Sequence, residues 1–379
     1  MRDLAAMRPF GYFVHHQGRG HAERCAAILN ALPETRPVTV FCARLDILPR
    51  LPAHVTLYQI PSLFERQGDE CDMDHVSTPE TLHCAPLGWP GIRHAMGQIA
   101  QWFAAADPAL MICDVSAEVA QLSRLCSVPH VKILQHGDRS DQGHVATYDG
   151  AVGLLAPFSE KLAQPEWQNW ADKVHYAAGL GVSASLPDRD LARRKLGIAA
   201  HAKLAVVVSG GGGTGFSIAP LGVAARAFPD WQWITIGNLQ GEWHATSGGN
   251  LQHRGWVDDP ATYIAAADLV VSSTGNTTCA QVLAAGVPWI AVPEWRYFDE
   301  QVFKAAALDR AGAALHLPHL PSSAHAWQQA FADAMSRHDP ALQGALLGNN
   351  PAKGTADWLE NLADTLWAAT STTTDKVFI

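Results

Sequence analysis

The chain has 379 residues, of which 48% are hydrophobic and 17% charged, and a formal net charge of -9. That composition excludes a disordered chain, and the length favours two domains over one. An acidic balance with no clustered Lys/Arg face excludes a protein whose main task is neutralising nucleic-acid phosphates.

Residues 1–9 lack a secretory apolar core, and no charge-free apolar run approaches the ~18 residues of a membrane span, so no span is expected. Peripheral membrane contact stays open. The seven cysteines (Cys25, Cys42, Cys71, Cys84, Cys113, Cys126, Cys279) form no C-x-x-C pair and are odd in number. Reduced thiols in a cytoplasmic protein follow.

In the first half, β-rich runs near Phe10 to His16, Val38 to Ala43, Val55 to Ile60, Leu110 to Asp114, Val131 to His136, Ala151 to Pro157 and Val174 to Ala178 predict strands. Helices are predicted at Gly20 to Leu32, Gly91 to Ala106 and Ser116 to Leu125. Apolar runs such as Leu110 to Cys113 suit strands covered on both faces of a parallel sheet. A turn-rich break at 183–190 reads as a linker after a domain of residues 1–182. A second α/β series over 191–350 has strands near Leu204 to Ser209, Trp231 to Gly237, one ending at Val257, Leu269 to Ser273 and Trp289 to Pro293. The basic group Arg193-Arg194-Lys195 reads as the solvated face of a short helix. The last helical pattern, within 351–369, carries Trp358, Leu359, Leu362, Leu366 and Trp367 at helical spacing and needs a partner surface. Residues 370–379 read as a flexible tail.

The residues suited to chemistry fall at strand ends. His15-His16-Gln17-Gly18-Arg19-Gly20-His21 joins a strand to a helix, so Gly18 and Gly20 allow a tight turn and His21 faces a cleft, where a neutral imidazole can take a proton near pH 7. A plain glycine turn is the competing reading. His15, His16 and His21 lack a Cys or carboxylate at metal-ligand spacing, and no metal site is expected. The loop Gly210-Gly211-Gly212-Gly213-Thr214-Gly215 follows an apolar strand and exposes N–H groups to an anion, but it lacks the Lys-Ser/Thr ending of a P-loop. Thr274-Gly275-Asn276-Thr277 also lies between strand and helix, as a helix cap or a diphosphate cradle. Glu300 and Gln301 pair an acid with an amide that can chelate neighbouring sugar hydroxyls. Helix-dipole complementation accounts equally for Glu300. Asp114, with Ser116, and His136 end strands on the same side; Asp114 and Ser116 are also candidate helix caps.

Together Gly255-Trp256-Val257-Asp258-Asp259, Ala267 to Val271, Thr274-Gly275, Leu283-Ala284-Ala285-Gly286-Val287-Pro288 and Val292-Pro293 through Glu300-Gln301 to Lys304-Ala305 resemble the GT-B glycosyltransferases, in particular the peptidoglycan N-acetylglucosaminyltransferases and the UDP-glycosyltransferases. The resemblance covers about a third of the chain. It implies an α/β protein of two Rossmann-like domains across a cleft, with the acceptor held by the first, the nucleotide-sugar donor by the second, and a final helix crossing back to the first. It further implies that the Val257 backbone holds the base, and that Gly211, Gly212, Gly213, Thr214, Thr274, Gly275, Asn276 and Thr277 hold the diphosphate. Glu300 and Gln301 would hold the sugar, with His21 as base, assisted by Asp114 or His136. Gln281 stands where the family usually has a ribose-binding Glu, and Lys304 where it often has Asn.

The expectation is thus an inverting glycosyltransferase that needs no metal or other cofactor and moves a sugar, most simply from a UDP-sugar, to a small-molecule, saccharide or lipid-linked acceptor. Gly18-Arg19-Gly20-His21-Ala22-Glu23-Arg24-Cys25 is also similar to the corresponding loop of UDP-sugar hydrolases of the same fold, which use water as acceptor. A nucleotide-sugar-binding protein without activity is the third reading.

Overall fold

A computed structural model describes residues 7–73, 75–210, 213–242 and 249–368. The predicted tail at 370–379, and Gly211 and Gly212, lie outside the described residues.

The first half contains β1 (Phe10–Val14), α1 (Arg19–Ala31), β2 (Val38–Cys42), β3 (Val55–Gln59), α2 (Pro90–Ala106), β4 (Leu110–Cys113), α3 (Ala117–Leu125), β5 (His130–Ile133), α4 (Gln142–Gly150), β6 (Gly153–Ala156) and β7 (Val174–Tyr176). Its strands form one parallel sheet in the order β3-β2-β1-β4-β5-β6-β7. All five residues of β1 are buried, because the sheet is covered on both faces. Tyr12 joins the core under α1, whereas Phe13 points the other way into the core under α2 and α3.

The second half contains α5 (Arg189–Leu196), β8 (Lys203–Val208), β9 (Phe216–Ser217), α6 (Ile218–Ala227), β10 (Trp231–Ile236), β11 (Leu239–Gln240), β12 (Leu251–His253), α7 (Pro260–Ala266), β13 (Leu269–Ser272), α8 (Asn276–Ala285), β14 (Trp289–Ala291), α9 (Glu300–Arg310), β15 (Leu315–His316), α10 (Ala324–Ser336), α11 (Pro340–Gly344) and α12 (Pro351–Trp367). Six strands pair in the order β12-β10-β8-β13-β14-β15, and β11 with β9 makes a small separate ribbon. Every pairing is parallel. The fold is therefore α/β with two Rossmann-like domains.

α12 lies on the first domain. Ala356, Leu359 and Ala363 enter the core that α1 covers, Trp358 stacks on His175 with ring centres 4.7 Å apart, and Arg36 grips Glu360 through two hydrogen bonds of 2.8 and 2.7 Å. The chain thus passes between the domains twice. The second passage lies against the first domain just after β7, for a Cβ on Gly348 would lie 2.3 Å from the Ala178 carbonyl oxygen.

Three expectations need correction. The strand expected to end at Val257 ends at His253, because Gly255 turns the chain with φ +65° and gives its carbonyl to the Gly237 N–H at 2.8 Å. Arg193 is buried rather than solvated: it donates to the Ala266 carbonyl at 3.1 Å and to Asp268 at 3.3 Å, satisfying the end of α7. The helix there starts at Arg189, within the turn-rich break, because Asp188 caps it by accepting the Leu191 N–H at 2.9 Å.

Candidate active site

A doubly wound sheet binds ligands beyond the carboxyl ends of its strands where the strand order reverses. Here the reversals fall between β1 and β4 in the first sheet and between β8 and β13 in the second. The loops after β1, β8 and β13 border one cleft of about 720 Å³ between the domains, and Asp114, after β4, lies buried behind His21.

On the first side, Gly18 takes φ +94° at the N-cap of α1 and no side chain caps the helix, so its free N–H groups are left for the cleft. His21 sits in that first turn. Its Nδ1 is 3.0 Å from Oδ1 of Asp114, which follows β4. Arg24, also on α1, donates Nε to Asp114 Oδ2 at 3.1 Å and NH2 to both carboxylate oxygens at 2.9 and 3.0 Å. Burial alone would raise the Asp114 pKa, but the Arg24 and His21 contacts outweigh it and hold the carboxyl well below its ordinary range. The next residue, Val115, has φ +78°, a strained value for a β-branched side chain, and its carbonyl accepts Nζ of buried Lys132 on β5. Asp114 does not cap α3; Ser116 does, accepting the Val119 N–H at 3.2 Å.

On the second side, Gly275 occupies the N-cap of α8 and no side chain caps it. The cap reading of this turn thus fails, and its N–H groups face the cleft that Ser273 to Thr278 line. Gln301 braces the turn from behind: its Oε1 accepts the N–H groups of Thr274 at 3.1 Å and Glu294 at 2.9 Å, while its own carbonyl takes the Thr274 hydroxyl at 2.9 Å. Only the amide nitrogen of Gln301 is left to meet a ligand. Lys304 Nζ donates to Asn276 Oδ1 at 2.5 Å and to Glu300 Oε1 at 3.3 Å. Burial pushes Glu300 up in pKa, yet Lys304, Arg139 and His21 together bring it below its usual value. It is an ionised acceptor at neutral pH. Gln281 and Val257 line the same cleft. The Gln281 side chain has no hydrogen-bond partner among the described residues, so it is free for a ligand.

Two groups of expected site residues stand apart. His136 is buried away from the main cleft beside Phe158 and Trp167, with Nε2 2.8 Å from the Leu162 carbonyl, and burial pushes its pKa down to about 3. Thr214 is exposed and Gly213 lies against Glu294, whose Oε1 accepts the Gly215 N–H at 3.0 Å. This stretch therefore wraps a carboxylate of the protein itself, and from the glycine-rich loop the cleft meets Ser209 and Gly210.

His83, Asp141 and His144 bring three metal-type donor atoms within 4.8 Å of one another. Both His144 nitrogens already have partners, Asp141 Oδ2 at 2.6 Å and Arg139 at 3.3 Å.

Residues 242–339 match the glycosyltransferase family 28 C-terminal domain. The match spans α7 to α10 and so includes the uncapped turn and the Glu300-Gln301 pair. The fold is that of the GT-B glycosyltransferases. MurG of Acinetobacter baumannii is similar with a TM-score of 0.60 at 14% identity, over 94% of this chain and 99% of that one. A UGT transferase of Siraitia grosvenorii, solved in complex with UDP, gives 0.62 at 12% identity over 93% and 99%. In sequence, the chain is 45% identical over 69 residues to the Solidesulfovibrio magneticus UDP-N-acetylglucosamine–N-acetylmuramyl-(pentapeptide) pyrophosphoryl-undecaprenol N-acetylglucosamine transferase. That stretch is 17% of this chain and spans only 19% of the relative's length. No helix among the described residues is long and apolar enough to cross a membrane, and all seven cysteines are free.

Within this GT-B cleft, the sequence motifs gave no individual role to Arg24, Trp256 and Arg296, all of which line it. Arg24 had a readable signal: three residues after His21 on a helix, it must share that residue's face.

Proposed function

We propose that the protein is an inverting glycosyltransferase that moves a sugar from a UDP-sugar to an acceptor hydroxyl without a metal ion. The observation that carries this is the His21–Asp114 contact of 3.0 Å, set across one cleft from the uncapped start of α8. Asp114 keeps the proton of the neutral imidazole on Nδ1, which leaves Nε2 as the base. Nε2 takes the acceptor's proton while the acceptor oxygen attacks the anomeric carbon from the face opposite the diphosphate. The bond from anomeric carbon to phosphate oxygen breaks, and UDP departs with the electron pair. The N–H groups at α8 and the helix dipole stabilise the leaving charge, the service a cation performs elsewhere. Glu300 and the Gln301 amide hold sugar hydroxyls, Gln281 the ribose, and the Val257 backbone the base.

The acceptor belongs on the first domain, at the loops after β1 and β4. Free thiols fit a reducing cytoplasm. A panel of UDP-, GDP- and dTDP-sugars, followed for nucleotide release with and without candidate acceptors, tests the reading. Acceptor-dependent release from a UDP-sugar is expected. Release into water alone identifies the hydrolase, to which the Gly18 to Cys25 segment is also similar; binding without release identifies an inactive binder.

A further inference from the structure

Asp114 has a partner that a simple base and its orienting acid do not require. The guanidinium of Arg24 forks onto both carboxylate oxygens, and the same NH2 that reaches Oδ1 lies 2.9 Å from His21 Nδ1. Nδ1 is in turn 3.0 Å from Oδ1. Three groups share one corner, and Nδ1 has a single site to fill. Carrying a proton, it donates to Asp114 and Nε2 presents a lone pair. Without one, it accepts from Arg24, and Nε2 holds the proton and is no base. Once Nε2 has taken the acceptor's proton, both ring nitrogens are N–H groups and a permanent cation stands against one of them. That cation also neutralises the carboxylate that would otherwise stabilise the imidazolium.

The other charged and titratable groups facing this corner do not offset it. His15, at the end of β1, has its ring centre 5.6 Å from that of His21, and burial keeps it neutral by pushing its pKa down to about 3. Lys132 on β5 acts on both Asp114 and His15. Glu300 on α9 acts on His21 from across the cleft, but it is already held by Lys304. Each anion near His21 therefore has its own cation.

We propose that Arg24 is a positioning residue that sets the base strength of His21: by clamping Asp114 and standing against Nδ1, it disfavours the doubly protonated ring. His21 then hands the acceptor's proton back readily. This inference rests on His21 acting as the base.

The test is the pH profile of kcat/KM for wild type and for Arg24→Gln, Arg24→Met and Arg24→Lys, with the His21 ring titrated in parallel by 15N NMR. Removing the charge moves the acid limb and the His21 midpoint to higher pH by about 1 to 3 units, the size of effect that an adjacent unit charge has on a titrating group. Lys keeps the charge but not the fork, so the limb stays while kcat falls. An unmoved limb and midpoint in both neutral variants overturn the inference. Should neither neutral variant fold, Arg24→Lys alone decides: a limb displaced by a unit or more with the charge retained overturns it, and an undisplaced limb supports it. Full activity in His21→Ala instead removes the base assignment itself, so the two failures are distinguishable.

Discussion

The backbone N–H of Asp138, in the first domain, donates to the carbonyl of Phe298, in the second, at 2.7 Å. Phe298 holds φ +61° and Asp299 φ +53° directly before Glu300. Two successive left-handed residues that are not glycine store strain, and the surroundings must hold them there. The Phe298 ring supplies part of that hold: the Arg139 guanidinium lies 4.4 Å over it, and the His83 and His144 rings are within 5.1 and 5.4 Å. The first domain thus grips the turn that places Glu300 and Gln301.

Phe298→Ala should loosen that grip without touching the cleft. The expected outcome is a several-fold rise in KM for the UDP-sugar, unchanged affinity for UDP, and a larger radius of gyration in solution scattering. An unchanged KM would show that the contact is incidental to catalysis.

His21→Ala and Asp114→Asn should separate chemistry from stability. Removing a general base costs about 10²- to 10⁴-fold in turnover, and His21→Ala should do so with donor affinity retained. Asp114→Asn leaves Arg24 buried without its counter-charge, so it should lower the melting temperature as well, by an amount reflecting about 3 to 5 kcal/mol for a broken buried pair. Calorimetric melting beside steady-state kinetics checks both; equal melting temperatures for the two variants would contradict the buried-pair account.

Gln281→Glu should tighten UDP binding by about tenfold, since a charge-assisted bond to ribose exceeds a neutral one by roughly 1 kcal/mol or more. Isothermal titration reads this directly. No gain would place the ribose elsewhere in the cleft.

Four buried histidines predict an acid-sensitive fold. Burial lowers His15, His136 and His144 to about 3 and His130 to about 4. Between those values and the ordinary value near 6.5 the unfolded chain binds more protons than the folded one, so stability is full above about pH 6.5 and falls as the pH drops towards 4. Each contributes up to about 1.4 kcal/mol per pH unit in that window. Asp114 acts lower, because its depressed pKa withdraws stability only as pH falls below the ordinary carboxylate range. Thermal melts from pH 7 to 4.5 should therefore decline steeply, and less steeply for His136→Gln; a flat profile would refute this.

The sheets were legible because their strands are doubly covered and read as apolar runs, as in β1 and β4. Partner choice was less so. The stripe on α12 announces a buried face, but whether Trp358 meets His175 or a surface of the second domain depends on the path of the chain between the domains. Within the site, His21 was visible from its place between a glycine turn and a helix. The composition of the glycine-rich loop cannot reveal that Glu294, some eighty positions later, lies against Gly213 and Gly215. Asp114 and Ser116 offered the same capping chemistry, and only the backbone reversal at Val115 separates a buried acid from a cap.

The double passage between the domains has a mechanical consequence. A single tether would let the two lobes swivel in any direction, whereas two tethers, the second pressed at Gly348 against Ala178 of the first domain, act as a pinned joint. Opening and closing is then confined to rocking about that point. A bulkier residue at 348 would work as a wedge in the joint, altering how far the jaws part while leaving every ligand-facing group in place.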